Sequence, residues 1–315
     1  MKQELTFSGE VKEELSKNLA EKKHCHIAEI AAVIGMCGKV AIDSRERYSI
    51  KVRTENVSVA RKYFTLLKKT FNIDTEILVT NNRSTGNIAY TVIVKRHEDA
   101  MCVLAESQLF NSAGEITEDF SSKDHCCIRA YLRGTFLASG SVSNPEKSYH
   151  IEMVCGTKRK AEQLQNMMQQ FELDAKVIQR KKTYVVYLKE GAQIVDLLRI
   201  MQAPLSLMKM ENVRILKEVR NSINRKVNCE TANLNKTAFA AAKQSEDIMF
   251  IQETLGIAKL PEGLQEIAQL RLENPEASLK ELADLCTAAI GRSGVNHRLR
   301  KLSEIAEELR GDKED

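Results

Sequence analysis

The sequence has no tryptophan, and aromatic residues make up only 5% of its 315 positions. Proteins that bind single-stranded nucleic acid without sequence preference stack bases on aromatic side chains, so the composition argues against that class. No apolar run approaches the ~20 residues that span a bilayer. The first ten residues also contain no apolar signal core. These absences predict a cytoplasmic protein that does not enter a membrane.

Among the eight cysteines, no two have the Cys-x-x-Cys spacing of a zinc or redox motif. Dispersed thiols in a chain without a leader are usually reduced and buried. The cluster nearest to a metal site is His24, Cys25 and His26, which His97 or His125 can join. Neighbouring residues on one element point in different directions and do not easily converge on one ion. The sequence therefore predicts no metal site and no cofactor.

The net charge is only +4, which excludes a histone-like polycation and limits any nucleic-acid footprint to a local patch. The length allows two or three domains. The stretch from Pro204 to Lys243 is locally basic, with eight Lys or Arg residues and only three Glu residues. This stretch is the first place in the chain where phosphate contacts are expected.

From about residue 25 the chain repeats one pattern. An apolar helix ends at a glycine, and a strand, a helix, two strands and a helix follow. The copies cover about 25–110 and 125–205. Gly38 and Gly140 occupy equivalent positions in the two copies, as do Asp74 and Asp174. We predict an α+β domain made of a duplicated α-β-α-β-β-α unit with antiparallel sheets. Its two apolar helices should pack about a pseudo-two-fold axis.

These paired helices resemble those of the LAGLIDADG homing endonucleases. The stretch 132–140 lies nearest that motif, and the first copy is equivalent at 30–38. The resemblance implies a saddle that straddles DNA, with an acidic residue before each final glycine to hold a divalent metal. Those two positions are Cys37 and Ser139 here, and neither side chain holds Mg²⁺ as a carboxylate does. We therefore predict a catalytically inactive nuclease fold, and not an enzyme.

The end of the chain has the pattern of a helix, a turn and a second helix. Ser278 and Glu281 have capping-box spacing, Gly291 marks the turn, and Ser293 can cap the second helix. Apolar residues at 295, 299 and 302 should face a core and leave a polar face outward. Arg reads guanine and Asn reads adenine in a major groove, so this face predicts DNA recognition. The alternative is an ordinary helical hairpin with a solvated polar face.

Between these regions, residues 221–236 are rich in asparagine. Asparagine marks turns, so one interpretation is a polar helix break; the other is phosphate contact. The predicted domains are 1–205, a linker at 206–220, and an all-α helix-turn-helix domain at 221–311. The predicted DNA-binding residues are Asn224, Arg225, Asn228, Asn233, Asn235, Lys236, Ser278, Lys280, Arg292, Ser293, Asn296, His297, Arg298, Arg300 and Lys301.

The whole layout resembles the WhiA family of bacterial sporulation and cell-division regulators. The resemblance is most specific at 7–15, 228–236, 279–282 and 294–301. It implies a degenerate LAGLIDADG domain that contacts proteins, and a helix-turn-helix domain that binds double-stranded promoter DNA on the nucleoid and regulates transcription. It also implies that RNA polymerase holoenzyme is nearby. In actinobacterial relatives, a WhiB-type iron–sulfur regulator is the protein partner.

Two other functions remain open from the residues alone. The protein can be an interaction scaffold that affects division or chromosome segregation with mainly non-specific DNA binding. It can also be a working endonuclease with relocated metal ligands, for which Asp43 and Glu29 are candidates. Because the duplication satisfies its own two-fold interface, we predict a monomer.

Overall fold

The computed structural model describes residues 5–81, 88–110, 117 and 120–311. The chain divides into two compact units, Met1–Lys217 and Glu218–Asp315. The division falls inside the stretch that the sequence analysis assigns to a linker. Within the described residues, no helix is both long enough and apolar enough to cross a membrane.

The first unit begins with helix α1 (Phe7–Lys17) and then contains the two copies. The first copy consists of α2 (Lys23–Cys37), β1 (Gly38–Ile42), β2 (Tyr48–Thr54), α3 (Val57–Phe71), β3 (Glu76–Asn81), β4 (Ile88–Val94) and α4 (His97–Glu106). The second consists of α5 (His125–Ser139), β5 (Gly140–Val142), β6 (Ile151–Cys155), α6 (Lys158–Gln169), β7 (Lys176–Arg180), β8 (Thr183–Leu188) and α7 (Gly191–Met201).

Each copy forms a four-stranded antiparallel sheet, ordered β1-β2-β4-β3 in the first and β5-β6-β8-β7 in the second. The duplication is therefore confirmed, but the predicted unit with three strands was wrong, because β1 and β5 were missed. Both strands start at the glycine that ends the preceding helix. A Cβ atom on Gly38 would lie 2.5 Å from the Ile34 carbonyl oxygen. Glycine thus lets the chain pass from helix to strand without a connecting loop.

The two copies meet along α2 and α5. Small residues allow these helices to approach closely: Ala28, Ala31, Ala32 and Ala130 are all buried. The closest approach is at Gly134, where an added Cβ would lie 2.7 Å from the Glu29 carbonyl oxygen and 2.9 Å from the Ala32 Cβ. Two backbones in such close contact leave space only for glycine at this position.

Helix α8 (Pro204–Thr254) is the longest element, and a short 3₁₀ turn (Ile257–Lys259) follows it. Of the two interpretations of residues 221–236, the polar helix break is wrong, since these residues lie inside α8. The physical reason is the absence of proline and glycine between Leu205 and Leu255, which leaves asparagine as a weak breaker among good helix formers. Gly256, with φ of +85°, is the residue that ends α8.

The second unit adds α9 (Glu262–Glu273), α10 (Leu279–Leu285) and α11 (Arg292–Gly311). These helices and the last turns of α8 enclose one apolar core. The core contains Ile248, Ile251, Leu260, Leu264, Ile267, Ala268, Leu282, Val295, Leu299, Leu302 and Ala306. All three residues of the apolar stripe predicted for the second helix belong to it.

Candidate nucleic-acid interface

Helix α10 begins with a specific cap, and the turn to α11 follows that helix. Ser278 caps α10: its hydroxyl accepts from the Glu281 amide at 3.3 Å, and the Glu281 carboxylate accepts from the Ser278 amide at 2.7 Å. The predicted capping box is confirmed. Ser293 does not cap α11, because that helix begins at Arg292 and the Gly291 carbonyl accepts from the Val295 amide at 3.2 Å. The turn spans residues 286–291.

Helix α11 separates its residues by face as its sequence period predicts. Val295, Leu299 and Leu302 are buried. The opposite face is exposed and carries Arg292, Ser293, Asn296, His297, Arg300 and Lys301. Arg300 forms an ion pair with Glu304 at 3.4 Å, but both side chains are largely in solvent, where such a pair contributes little and can be exchanged for DNA. The helix thus has an uncovered polar face of the kind that reads base edges.

Arg298 differs from the other predicted DNA-binding residues of α11. Its guanidinium donates to the Gly263 carbonyl at 3.2 Å and pairs with Glu266 at 3.6 Å, so it joins α11 to α9. The same Glu266 carboxylate accepts from the Thr287 amide in the turn at 2.6 Å. These contacts, first the Thr287 amide and then Arg298, hold the pKa of Glu266 below its ordinary value. One carboxylate therefore fixes both the turn and the helix that follows it.

We expect Glu266→Gln to loosen this turn. A hydrogen bond to a charged group contributes about 1.5–3 kcal/mol, so protection of the Thr287 amide should fall about tenfold or more. Hydrogen–deuterium exchange of peptides across 282–292 measures this, with Glu273→Gln as the matched control on the same helix. Because the Glu266 pKa is depressed on folding, its contribution is present above the unfolded pKa and is lost as pH falls through the folded one. Unchanged Thr287 exchange in Glu266→Gln would contradict this role.

Arg271 positions the first helix of the motif, and the sequence analysis missed it. It is buried, and its Nη1 donates to the carbonyls of Asn274, Pro275 and Ala277 at 3.5, 3.4 and 2.7 Å. Burial lowers the pKa of the guanidinium. The side chain thereby shapes the loop from which α10 starts. An arginine in the last turn of a helix is common near exposed carbonyls, so its position alone does not indicate this role.

The predicted DNA contacts outside α11 are exposed, except Ser278, which is half-buried and caps α10. Lys280 lies on α10, and Asn224, Arg225, Asn228, Asn233, Asn235 and Lys236 lie on α8. At 1.5 Å per residue, Asn224 is about 36 Å along α8 from Ile248, which is in the core of the motif. That length is about one turn of B-DNA. Asn224 and Arg225 therefore lie far along α8 from the core of the motif, whereas Lys236 is about 18 Å from Ile248.

The nuclease-like positions at the ends of α2 and α5 contain no acidic group. The Cys37 thiol donates to the Val33 carbonyl at 3.3 Å, and the Ser139 hydroxyl donates to the Thr135 carbonyl at 3.3 Å. Burial raises the pKa of Cys37 to about 11, opposed by the Lys12 ammonium, so the group stays a neutral thiol near pH 7. Lys160 also donates to the Gly35 carbonyl at 2.7 Å. A thiol, a hydroxyl and nearby ammonium groups do not form a site that suits a divalent metal ion.

Neither candidate for a relocated metal ligand is available. Glu29 is fully buried between two cations, pairing with Lys62 through one oxygen and with Arg133 at 2.9 Å through the other. Asp43 lies in the turn after β1, where it pairs with Arg47 at 2.8 Å and accepts from two backbone amides. The pKa of Asp43 is lowered, first by the Arg47 amide. Both carboxylates are engaged by the fold.

Taken together, these features define a class of protein: a duplicated α+β unit built on two close-packed helices, joined in one chain to a helix-turn-helix unit. Three family models match it in succession. They are the WhiA N-terminal LAGLIDADG-like domain at 23–110, the WhiA LAGLIDADG-like domain at 128–220 and the WhiA C-terminal HTH domain at 223–306. The chain belongs to the WhiA family.

Two relatives and one solved structure match this chain along almost its whole length. Probable cell division protein WhiA of Lachnoclostridium phytofermentans is 52% identical and covers 97% of this chain and 100% of its own. The Desulforamulus reducens protein of the same name is 47% identical and covers 98% of each chain. The crystal structure of full-length DUF199/WhiA from Thermatoga maritima is 26% identical, with a TM-score of 0.61 over 96% of this chain and 98% of its own. The predicted resemblance and the α+β fold class are confirmed.

Proposed function

We propose that this protein is a sequence-specific DNA-binding regulator of transcription, acting in sporulation or cell division. The observation that carries the proposal is the exposed face of α11. Arg300, Asn296 and His297 lie on the side opposite the buried stripe and can reach base edges. Lys301 and Arg292, also exposed, can bind phosphates. The contacts of Glu266 with the Thr287 amide and with Arg298 support the placement of this helix against α9.

The exposed residues of α8 can add phosphate contacts at a distance. Arg225 and Lys236 carry positive charge, and the asparagine amides between them donate to phosphate oxygens. Asn224, about 36 Å along α8 from Ile248, suits a second contact about one turn of duplex away. These contacts would fix the register of the protein and raise the salt dependence of binding without reading sequence.

In this proposal the nuclease-like unit contacts proteins and does not cleave DNA. The uncharged Cys37 and Ser139 support this, since metal-assisted hydrolysis needs carboxylates at those positions. RNA polymerase holoenzyme is the proposed neighbour at a promoter. A WhiB-type regulator is proposed as a partner if the source is an actinobacterium. The monomeric state is also part of the proposal.

Selection from a random duplex pool at physiological salt tests the proposal. The full chain and residues 206–315 are used in parallel, with Mg²⁺ present or absent. We expect both to enrich one motif. Enrichment by the full chain alone would assign specificity to the first unit or to contacts that need it. No enrichment by either would contradict sequence-specific regulation.

We expect no cleavage of the selected duplex. Supercoiled plasmid carrying the enriched motif is incubated with the full chain and Mg²⁺ or Mn²⁺, and an active LAGLIDADG endonuclease on its own site serves as the positive control. Because no carboxylate lies at the ends of α2 and α5, neither nicked nor linear product should form above the metal-free level. Product that depends on metal and on intact protein would restore the endonuclease hypothesis.

A second function is favoured by one specific observation. Helix α8 has an exposed apolar stripe at Val219, Ile223, Val227 and Leu234, each more than half exposed. Such a stripe suits a protein partner better than DNA. An interaction scaffold would bind all duplexes alike, at the roughly micromolar level of non-specific binding. The pool selection separates this function from the first.

A further inference from the structure

Two pairs of adjacent ligand residues converge near the start of the paired helices. His24 and Cys25 lie in the first turn of α2, and Cys126 and Cys127 lie in the first turn of α5. One ligand atom from each of the four residues lies within 4.8 Å of the others. The His24 Nδ1 is 2.9 Å from the Cys127 Sγ and 3.6 Å from the Cys25 Sγ.

The helix pair explains why residues so far apart in sequence meet. The register that aligns Gly38 with Gly140 also aligns Cys25 with Cys127, so the two pairs occupy equivalent positions in the two copies. The other histidines that the sequence analysis considered have contacts elsewhere. His26 bonds to the Ala20 carbonyl and to Thr70, His97 accepts from the Tyr48 amide, and His125 packs edge-on against Phe171.

We propose that His24, Cys25, Cys126 and Cys127 bind one Zn²⁺ ion. Three thiolates and one imidazole form a Cys₃His set, which zinc takes in tetrahedral structural sites. Bond lengths of about 2.3 Å to sulfur and 2.0–2.1 Å to nitrogen place neighbouring ligand atoms about 3.5–3.8 Å apart. The observed separations require only small side-chain adjustments to match. An iron–sulfur cluster usually takes four thiolates, and this set has three.

Zinc binding would change the charge state of these thiols. Burial and then the neighbouring thiols of Cys126 and Cys127 raise the pKa of Cys25 to about 12. Burial likewise raises the pKa of Cys127. A bound divalent ion favours the thiolate form of its cysteine ligands and releases their protons. Zinc binding to this set should accordingly weaken as pH falls.

The proposed site is separate from the nuclease-like positions. Cys37 follows Cys25 by twelve positions on α2, which corresponds to about 18 Å along the helix. The site also borders a cavity of about 380 Å³ whose lining includes Cys25, Cys126 and Arg129, so an ion can enter from solvent. Bound there, zinc would fasten the two copies together at the end of the helix pair opposite Cys37 and Ser139.

The test uses the full chain purified under reducing conditions. Elemental analysis should find about one zinc per chain, and replacement by Co²⁺ should give thiolate-to-metal charge-transfer bands and the strong d–d absorption of a tetrahedral ion. Removal of the ion by a chelator should lower the melting temperature by about 5 °C or more, because a ligand that binds only the folded state stabilises it. All seven tyrosines lie at or before position 187, so tyrosine fluorescence follows the melting of the first unit alone.

The variants His24→Ala and Cys126→Ser/Cys127→Ser should lose zinc and the charge-transfer bands. The matched controls are Cys102→Ser and Cys229→Ser, which remove exposed cysteines outside the cluster and should keep both. If the variants fail to fold, the Co²⁺ spectrum and chelator titration of the unaltered chain decide. A folded chain that holds no zinc, gives no charge-transfer band, or contains a Cys25–Cys127 disulfide when prepared without air would overturn the proposal.

Discussion

Replacement of Glu29 by Gln is expected to lower the free energy of unfolding of the first unit by about 3–5 kcal/mol. Glu29 is 0% exposed, and its carboxylate is the anionic partner of Lys62 and Arg133, which are 3% and 1% exposed. The amide has nearly the same shape but no charge. The substitution therefore leaves two buried cations without a counter-charge, and this uncompensated burial is the source of the loss.

The surrounding contacts explain why the cations cannot relax into solvent. Lys62 donates to the Leu15 carbonyl at 2.8 Å, and Arg133 donates to the Gln202 side chain at 2.9 Å. Burial already lowers the pKa of Lys62 to about 8, with Glu29 opposing that shift. When Glu29 is neutral, Lys62 should lose its proton near neutral pH. The destabilisation of Glu29→Gln should then be smaller at pH 9 than at pH 7.

Chemical denaturation followed by tyrosine fluorescence measures this effect. The surface variant Glu13→Gln is the matched control, since it removes one partner of an exposed pair with Lys17 and should leave the midpoint unchanged. The double variant Glu29→Gln/Lys62→Met should recover part of the loss by removing one unpaired cation. Equal midpoints for Glu29→Gln and Glu13→Gln would show that the buried network does not stabilise the unit.

Local periodicity predicted most of the fold. The spacing of apolar residues, at two to seven positions, predicted the apolar stripe of α11 and the repeated order of helices and strands. The structure confirms both. The missed strands β1 and β5 are five and three residues long and follow a helix directly. So short a segment does not show an alternation of its own, and it becomes a strand only by pairing with β2 or β6.

The errors at the sites have a different origin. The asparagines at 221–236 are typical of turns, but the preference of a single residue for a turn is weak. Because the stretch contains no glycine or proline, the helix continues through them. The sequence analysis did not group Cys126 and Cys127 with His24 and Cys25, because these residues come together only when the two copies pack against each other. The signal was present, however, in the repeat register that relates the two copies. A ligand search carried out at equivalent positions of a duplicated sequence would have found it.

The second large effect is expected in DNA recognition, and it separates base contacts from phosphate contacts on one helix. Arg300→Ala should weaken binding to the enriched motif by about 1–3 kcal/mol, mainly at one base position. Asn296→Ala should act in the same way at a different position, so the double variant should lose about 2–6 kcal/mol and approach non-specific binding. Both side chains are exposed, so neither substitution should change stability.

Lys301→Ala is the matched variant, because it lies next to Arg300 on the same exposed face. A phosphate contact carries no sequence information, so this change should weaken all duplexes alike and lower the salt slope by about one. Titration of the motif, of its single-base variants and of an unrelated duplex at several salt concentrations gives both quantities for each protein. Arg300 would lose its base-reading role if Arg300→Ala weakened every duplex equally. Helix α11 would then bind DNA only through its charge, and specificity would have to come from the first unit or from a protein partner.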